Sequence, residues 1–416
     1  MKMDKRKFWS YENQLTVIFF FAIGFVFFDR LAINYLYPFM QGDFAISNTE
    51  IGLASGALAL TWSFASPLGG YLSDKVKNQK VLLAIIVLLF STVSLLHGFI
   101  STVGMLFFLR LMMGIAEGPI IPIAQSVMAI ESSEKRRGFN TGITMNTSNA
   151  ILGGLLAPII VVALAESFDW HMAFYVTIIP GLVLAFFILK TMKNRPDYQN
   201  SVAQSQEKVS FKQVLKTRNI WIVVILFSLY MTSLMAFQIY TPSFLVGFRG
   251  FTPSTMSIIM ASFGLGYAIF GMVIPALSDR FGRKPVIALF SLFIIAMPLL
   301  IANLTALPAL MLVVFFLPAG FSLGSIFMST IPAESVSFKL AGAAIGIVTG
   351  LGELFGGFLS PIITGIAADK FGLQAPLFIS AGAGLCVLLV SFLLVESAPA
   401  KINARPDQDV NKQIHA

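Results

Sequence analysis

The chain has 416 residues, of which 56% are hydrophobic and only 12% charged, and its formal net charge is +8. A soluble domain of this size needs more charge to cover its surface, so the composition excludes that class. The basic balance does not point to nucleic acid either, because the lysines and arginines sit mostly in short loops between apolar runs.

Those runs recur at about 15–40, 50–73, 81–100, 103–130, 139–165, 171–190, 219–246, 254–277, 285–303, 306–330, 341–367 and 374–395, each near the ~20 residues that span a bilayer as a helix. The expected fold is an all-α polytopic membrane protein of twelve transmembrane helices. The basic stretch "MKMDKRKFWSYENQ" precedes the first run, which has no small-residue cleavage site and reads as a retained helix. Lys2, Lys5, Arg6 and Lys7 precede helix 1, Lys75, Lys77 and Lys80 follow helix 2, Lys135, Arg136 and Arg137 follow helix 4, and Arg280, Arg283 and Lys284 follow helix 8. The odd-numbered loops carry little beyond Arg249 and Lys370. The even loops and both termini are therefore expected in the cytoplasm, with the chain in the cytoplasmic (inner) membrane.

The long polar stretch after Lys190 divides the chain. The expected domains are an N-terminal six-helix bundle (1–190), a cytoplasmic linker (191–218) that ends in the amphipathic "FKQVLKTRN", a C-terminal six-helix bundle (219–395) and a cytoplasmic tail (396–416). The halves are internal repeats. "GYLSDKVKNQKV" matches "PALSDRFGRKPV", placing Asp74 on Asp279 and Lys75 on Arg280 at a shift of 205. "GGLLAPII" from Gly153 matches "GGFLSPII" from Gly356, and "AIES" at Ala129 matches "PAES" at Pro332, both at a shift of 203. Repeated halves typify secondary transporters, with the substrate site between them near the midplane.

These motifs resemble the major facilitator superfamily. "GGYLSDKVKNQK" and "LSDRFGRKP" are similar to its loop 2–3 signature and the loop 8–9 echo, although the first copy lacks the internal Gly-Arg. "RLMMGIAEGPIIP", with Arg110, Gly114, Gly118 and Pro122, resembles its helix 4 pattern. The resemblance covers nearly the whole chain. It implies two pseudo-symmetric six-helix bundles that rock about a central cavity, a monomer, and bracing of the outward-open state by Asp74, Lys75, Asp279, Arg280 and Arg283. Asp29-Arg30 in helix 1 with Glu117 in helix 4 resembles the anion:cation symporter group, which carries sugar acids and other organic anions with protons. "WHMAF" at Trp170 is similar to that group's Trp-Arg-x-Ala-Phe, with His171 in place of Arg. Spinster-like lysolipid transporters share the helix 1 pair and the helix 4 Glu, so the subgroup stays open. The Gly-Pro-rich helix 5 signature of drug antiporters is not present.

Ionisable residues inside apolar helices are costly and usually functional. Asp29 and Arg30 are adjacent, so they point about 100° apart. Arg30 shares a face with Asn34 and Tyr37 and suits carboxylate recognition; the plain alternative is a salt bridge that staples helix 1 to a neighbour. Asp29 faces another helix. On helix 4, Arg110, Glu117 and Gln125 share a face. Arg110 and Glu117 lie about 10 Å apart along the axis, too far for a direct pair. Arg110 is either an anchor or part of the gating and coupling machinery. Asp29 and Glu117 are the proton-coupling candidates. Glu353, within "GLGELFGGFLSP" of helix 11, is a third protonation site, a selector for a cationic group on the substrate, or structural. Tyr230, Ser233, Gln238 and Tyr240 of helix 7 are expected at the substrate, with packing as the alternative. Asn146, Asn149 and Gln125 either line the cavity or bridge helices. His97 and the single cysteine, Cys386, have no metal partner at ligand spacing, so no metal or cofactor is expected. No metalloprotease pattern, nucleophile elbow or phosphate loop supports an enzyme.

The expected function is proton-coupled symport of a small organic anion. The alternatives are a lysolipid or drug exporter of the same superfamily and, less consistent with the short loops, a membrane sensor.

Overall fold

The computed structural model describes residues 10–43, 45–76, 78–133, 136–194, 211–337, 340–398 and 401, without the side chains of Asp74, Phe211 and Lys212. The N-terminal basic residues, Lys77, Lys135, most of the expected linker and most of the expected tail lie outside the described residues.

Among the described residues, eleven helices are long and apolar enough to cross a membrane, and a shorter apolar one makes twelve. They are α1 (Tyr11–Asp43), α2 (Asn48–Lys75), α3 (Gln79–His97), α4 (Val103–Glu131), α5 (Arg137–Ser167), α6 (Trp170–Thr191), α7 (Arg218–Phe248), α8 (Pro253–Phe281), α9 (Arg283–Asn303), α10 (Leu307–Glu334), α11 (Ala341–Phe371) and α12 (Ala375–Ser391). Helices dominate because lipid offers backbone groups no partner, so each segment must satisfy its own. A short helix, Phe211–Leu215, precedes α7. α1–α6 and α7–α12 form two six-helix bundles.

Local sequence fixes the helix ends. Ser47 and Glu50 form a capping box at the start of α2, and Thr102 caps α4. Thr252 caps α8, with Pro253 as its first residue. Gly282 joins α8 to α9 at φ +103°, a conformation that other residues rarely adopt. Peripheral helices expose apolar side chains to the surroundings, for example Ile85 and Leu89 on α3, Ile179 and Phe186 on α6, Leu289 on α9 and Leu389 on α12. In a membrane that surface meets lipid.

The duplication reappears in the irregularities. α5 is π-helical over Asn149–Leu156 and α11 over Glu353–Leu359, each just before a proline, Pro158 and Pro361. A proline has no N–H for the preceding turn, so the ladder shifts register there. α4 breaks at Gly118–Pro119, and α10 breaks over Leu317–Leu323, which contains Pro318. These irregularities therefore fall at matching levels of the two bundles.

One face of the molecule carries the basic loops after α2, α4 and α8; the other carries the loops with few basic residues, here called the bare face. Cross-bundle hydrogen bonds cluster at the bare face. Asp369 at the end of α11 accepts from the backbone N–H and side-chain amide of Asn48, each at 2.9 Å, and from the backbone N–H and hydroxyl of Thr49. Glu166 at the end of α5 accepts from Ser254 at the start of α8. Deeper in, glycines let backbones meet. A Cβ on Gly52 of α2 would lie 2.2 Å from the carbonyl oxygen of Pro361, and one on Gly264 of α8 would lie 2.0 Å from the carbonyl carbon of Gly154. The bundles are closed at the bare face and diverge toward the basic face.

Candidate functional site

Between the bundles lies a cavity of about 360 Å³. Its wall includes Phe27, Arg30 and Trp62 from the first bundle and Tyr230, Tyr267 and Glu353 from the second. Ser66 of α2, Met145 of α5, Gly271 of α8 and Ile345 of α11 carry the wall toward the basic face. A second pocket of about 30 Å³ continues toward the bare face, lined by Arg30, Asn34, Arg110 and Gln238 among others.

Arg30 is the centre of the site. Its guanidinium carbon lies 5.5 Å from the ring centroid of Trp62, a cation–π contact. Its Nη2 is 3.6 Å from Oε2 of Glu353, in the opposite bundle. That separation is an ion pair but too long for a hydrogen bond. Both side chains are largely buried, at 15% and 10% exposed. The staple expected as the plain alternative for Arg30 is thus present, but it runs across the cavity and not within one bundle.

Asp29, one residue earlier, points away from the cavity. It is buried beside Ser94 of α3, and one of its oxygens has no hydrogen-bond partner. Arg110 is fully buried, with Tyr37, Glu117, Asp29 and Arg30 as its charged or titratable neighbours. Its Nε and Nη2 have no hydrogen-bond partner among the described residues, and neither does either oxygen of Glu117. These groups form a buried electrostatic cluster behind Arg30, in contact through charge and not through direct hydrogen bonds.

The remaining expected substrate residues take different places. Gln238 and Tyr230 line the cavity, although the Tyr230 hydroxyl is committed to the Phe321 carbonyl at 2.6 Å. Asn34 lies on the small pocket, not the main cavity. Tyr37, expected on the cavity face with Arg30, is instead fully buried in the closed region, 3.2 Å from the Ser55 hydroxyl. Tyr240 is likewise part of the closure: its hydroxyl donates to the Pro361 carbonyl at 2.6 Å and lies 3.2 Å from that of Asn48. Ser233 faces α12, where it exchanges hydrogen bonds with Ser380, and so does not meet the cavity. Gln125 lies off the cavity wall, with its amide nitrogen buried and unpartnered. Helical spacing alone cannot say which inward face meets a partner helix and which meets open space.

Sequence reasoning missed Trp62 and Tyr267. Trp62 is in "LALTWSFASP", where polar Thr61 and Ser63 flank it in mid-helix, and its indole N–H is buried without a partner. Asn146 and Asn149, left open between lining and bridging, are on the wall.

Of the expected gating residues, Arg110 lies in the buried cluster behind Arg30, and the others sit at the basic ends of the helices. Lys75 and Arg280 are exposed. Arg283 is 3% exposed and pairs within its own bundle with Asp279 at 2.6 Å and Glu334 at 2.7 Å. Ser397 also donates to Glu334, and Glu396 accepts from the backbone N–H groups of Arg283 and Lys284, capping α9. The side chain of Asp74 is not described.

Comparison with known proteins gives a consistent picture. The family model described as Major Facilitator Superfamily matches residues 19–253 and 247–416. A hexuronate transporter of Bacillus subtilis is 28% identical, over 91% of this chain and 93% of the relative. A probable sulfoacetate transporter of Cupriavidus necator is 26% identical, over 93% and 94%. The quinolone resistance protein NorA of Staphylococcus aureus is 24% identical, over 91% and 96%. Among solved structures, a bacterial homologue of the human lysosomal transporter Spinster, inward-facing and unoccupied, superposes with a TM-score of 0.77 at 15% identity, over 96% of this chain and 99% of that one.

Proposed function

Because this chain belongs to the major facilitator superfamily, a multi-pass transporter and not an enzyme, we propose that it carries a small organic acid together with protons by alternating access. The observation that carries this reading is Arg30: a guanidinium on the cavity wall, inside the membrane span, backed by a cluster of buried carboxyls. A planar two-pronged donor suits a carboxylate or sulfonate. The hexuronate and sulfoacetate transporters among the relatives carry acids, which supports the class.

In this proposal the basic face is cytoplasmic, following the excess of Lys and Arg in its loops. The chain then sits in the cytoplasmic membrane with both termini inside, in the conformation open to the cytoplasm. It works as a monomer, with 1–190 and 219–395 as the moving bodies, joined by the linker 191–218, and 396–416 as the tail. Asp29 and Glu117 take up protons from outside. Their neutralisation leaves Arg30 and Arg110 as the positive groups near the cavity, and the anion binds Arg30. The loaded centre carries less unpaired charge than the empty one, so the bundles can pass through the occluded state. Protons and substrate leave at the basic face. Asp74, Lys75, Asp279, Arg280 and Arg283 act at the basic ends when those ends close.

Uptake of radiolabelled glucuronate into proteoliposomes tests the reading. An inward proton gradient should stimulate it, and uptake indifferent to that gradient would remove the coupling claim. The export of amphipathic compounds is the second reading, favoured by the Phe and Met side chains of the cavity wall and by the kinship with NorA. Thermal stabilisation by a lysolipid or a quinolone in place of sugar acids would select it.

A further inference from the structure

The charged residues lying more than one turn from either end of a membrane-spanning helix are, among the described residues, Asp29, Arg30, Arg110, Glu117 and Glu353. Three carboxyls against two guanidiniums leave one carboxyl over. The first four share one bundle and form the cluster behind the cavity. Glu353 stands alone in the other bundle and is the only one of the three carboxyls on the cavity wall.

Its setting is built. Glu353 is 8% exposed, and its Oε2 has no hydrogen-bond partner among the described residues. A Cβ on Gly357, one turn on, would lie 2.4 Å from that oxygen, so the glycine makes the space the carboxylate occupies. Across the cavity, Arg30 lies 3.6 Å from it, and the unpartnered indole N–H of Trp62 belongs to the same wall. Opposite charges therefore sit side by side, near enough to attract but not hydrogen-bonded to each other.

A simple anion that takes Arg30 would strip Glu353 of its cationic neighbour among the described residues and leave a largely buried carboxylate unpaired, which is unfavourable. An α-ammonium carboxylate avoids this. Its own opposite charges are adjacent, and laid against Arg30 and Glu353 they give an alternating ring in which every charge has a partner. We propose that Glu353 is a substrate-contacting residue that reads a cationic amino group beside the acid, so that the preferred substrates are amino-bearing organic acids of sugar-acid size. The cavity of about 360 Å³ accommodates such a molecule. The inference rests on the reading of Arg30 as the acid-binding group.

The test uses the purified full-length protein and two compounds that differ at one position, gluconate and glucosaminate, whose C2 hydroxyl is replaced by ammonium. Affinities are measured by calorimetry at fixed pH for the wild type, Glu353→Gln and Gly357→Ala. Glucosaminate should bind the wild type at least ~10-fold tighter than gluconate, since a site with an unpaired buried group discriminates strongly against ligands that leave it so. Glu353→Gln should abolish the preference without loss of gluconate affinity, and Gly357→Ala, which displaces the carboxylate, should reduce it. Gluconate binding the wild type as tightly as glucosaminate, or a preference that survives Glu353→Gln, overturns the inference alone. If neither acid binds any of the proteins, the acid-transport reading falls with it. Should Glu353→Gln fail to fold, the Gly357→Ala comparison decides.

Discussion

Gly154 of α5 and Gly264 of α8 touch backbone to backbone across the two bundles: a Cβ on Gly264 would lie 2.0 Å from the Gly154 carbonyl carbon and 2.2 Å from its oxygen. No side chain can yield there, because the neighbour is main chain. Gly264→Val should therefore prevent full closure at the bare face and shift the population toward the opposite state. Spin labels on Glu166→Cys and Ser254→Cys, in a background with the exposed native Cys386 replaced by Ser, should report a longer distance in the variant. An unchanged distance distribution would show that the helices can cross elsewhere.

Asp369 is the other part of that closure. It gathers the half-buried first turn of α2 through Asn48 and Thr49, and a helix N-terminus favours a negative partner. Asp369→Ala removes these contacts, each of which is worth about 0.5–1.5 kcal/mol net. The bare face should open several-fold more often, read as faster maleimide labelling of a cysteine at Asn34. Asp369→Asn should have a smaller effect, because it keeps an acceptor.

Arg30→Lys separates charge from shape. The ammonium retains the positive charge but lacks the planar fork. Binding of the transported acid should weaken by about 10-fold or more in Arg30→Lys and be undetectable in Arg30→Ala, both by calorimetry. Retained affinity in Arg30→Ala would move the acid site elsewhere, with Arg110 the next guanidinium in line.

Glu117→Gln should uncouple transport from protons. With the carboxyl replaced by a permanently neutral amide, exchange of internal for external substrate should persist while gradient-driven accumulation is lost. Asp29→Asn should behave the same way if the two carboxyls act as a unit. Counterflow against net uptake in proteoliposomes distinguishes this from a general loss of activity, in which both would fall.

Arg283 holds the basic end of the second bundle together. Removing it leaves Glu334 with the Ser397 hydroxyl as its remaining described donor. Loss of one partner of a buried pair costs about 3–5 kcal/mol, so Arg283→Gln should lower the melting temperature in detergent by several degrees. Lys284→Gln, whose amine reaches only the Phe392 carbonyl at the surface, should change it little.

The sequence disclosed the helices, the duplication and the charged residues because each rests on a local signal: apolar length, repeated motifs, or a charge where lipid should be. Adjacent Asp29 and Arg30 do take different directions, one toward α3 and one into the cavity. Ser233 and Tyr240 went to helix–helix contacts because hydroxyls in apolar helices serve packing and ligands equally well, and only tertiary structure decides. Tyr37 depends on something no single chain encodes as one answer, namely which end of the transporter is closed. Trp62 has no charge to mark it, so its place at the cavity was invisible until α2 was set against α1 and α11.

The π-helical stretch of α11 has a geometric consequence. Ile345, Thr349, Glu353, Gly357, Pro361, Gly365 and Asp369 follow one another at intervals of four. The first three line the cavity, Gly357 lines the small pocket, and the last three meet α2 or α7 at the seal. In an unbroken α-helix four residues overshoot a turn by about 40°, so such a row would wind some 240° around the rod over its length. The wider turns before Pro361 take up part of that winding. One row of residues then serves as substrate wall at one end and clasp at the other, and any rotation of the helix about its axis must move both together.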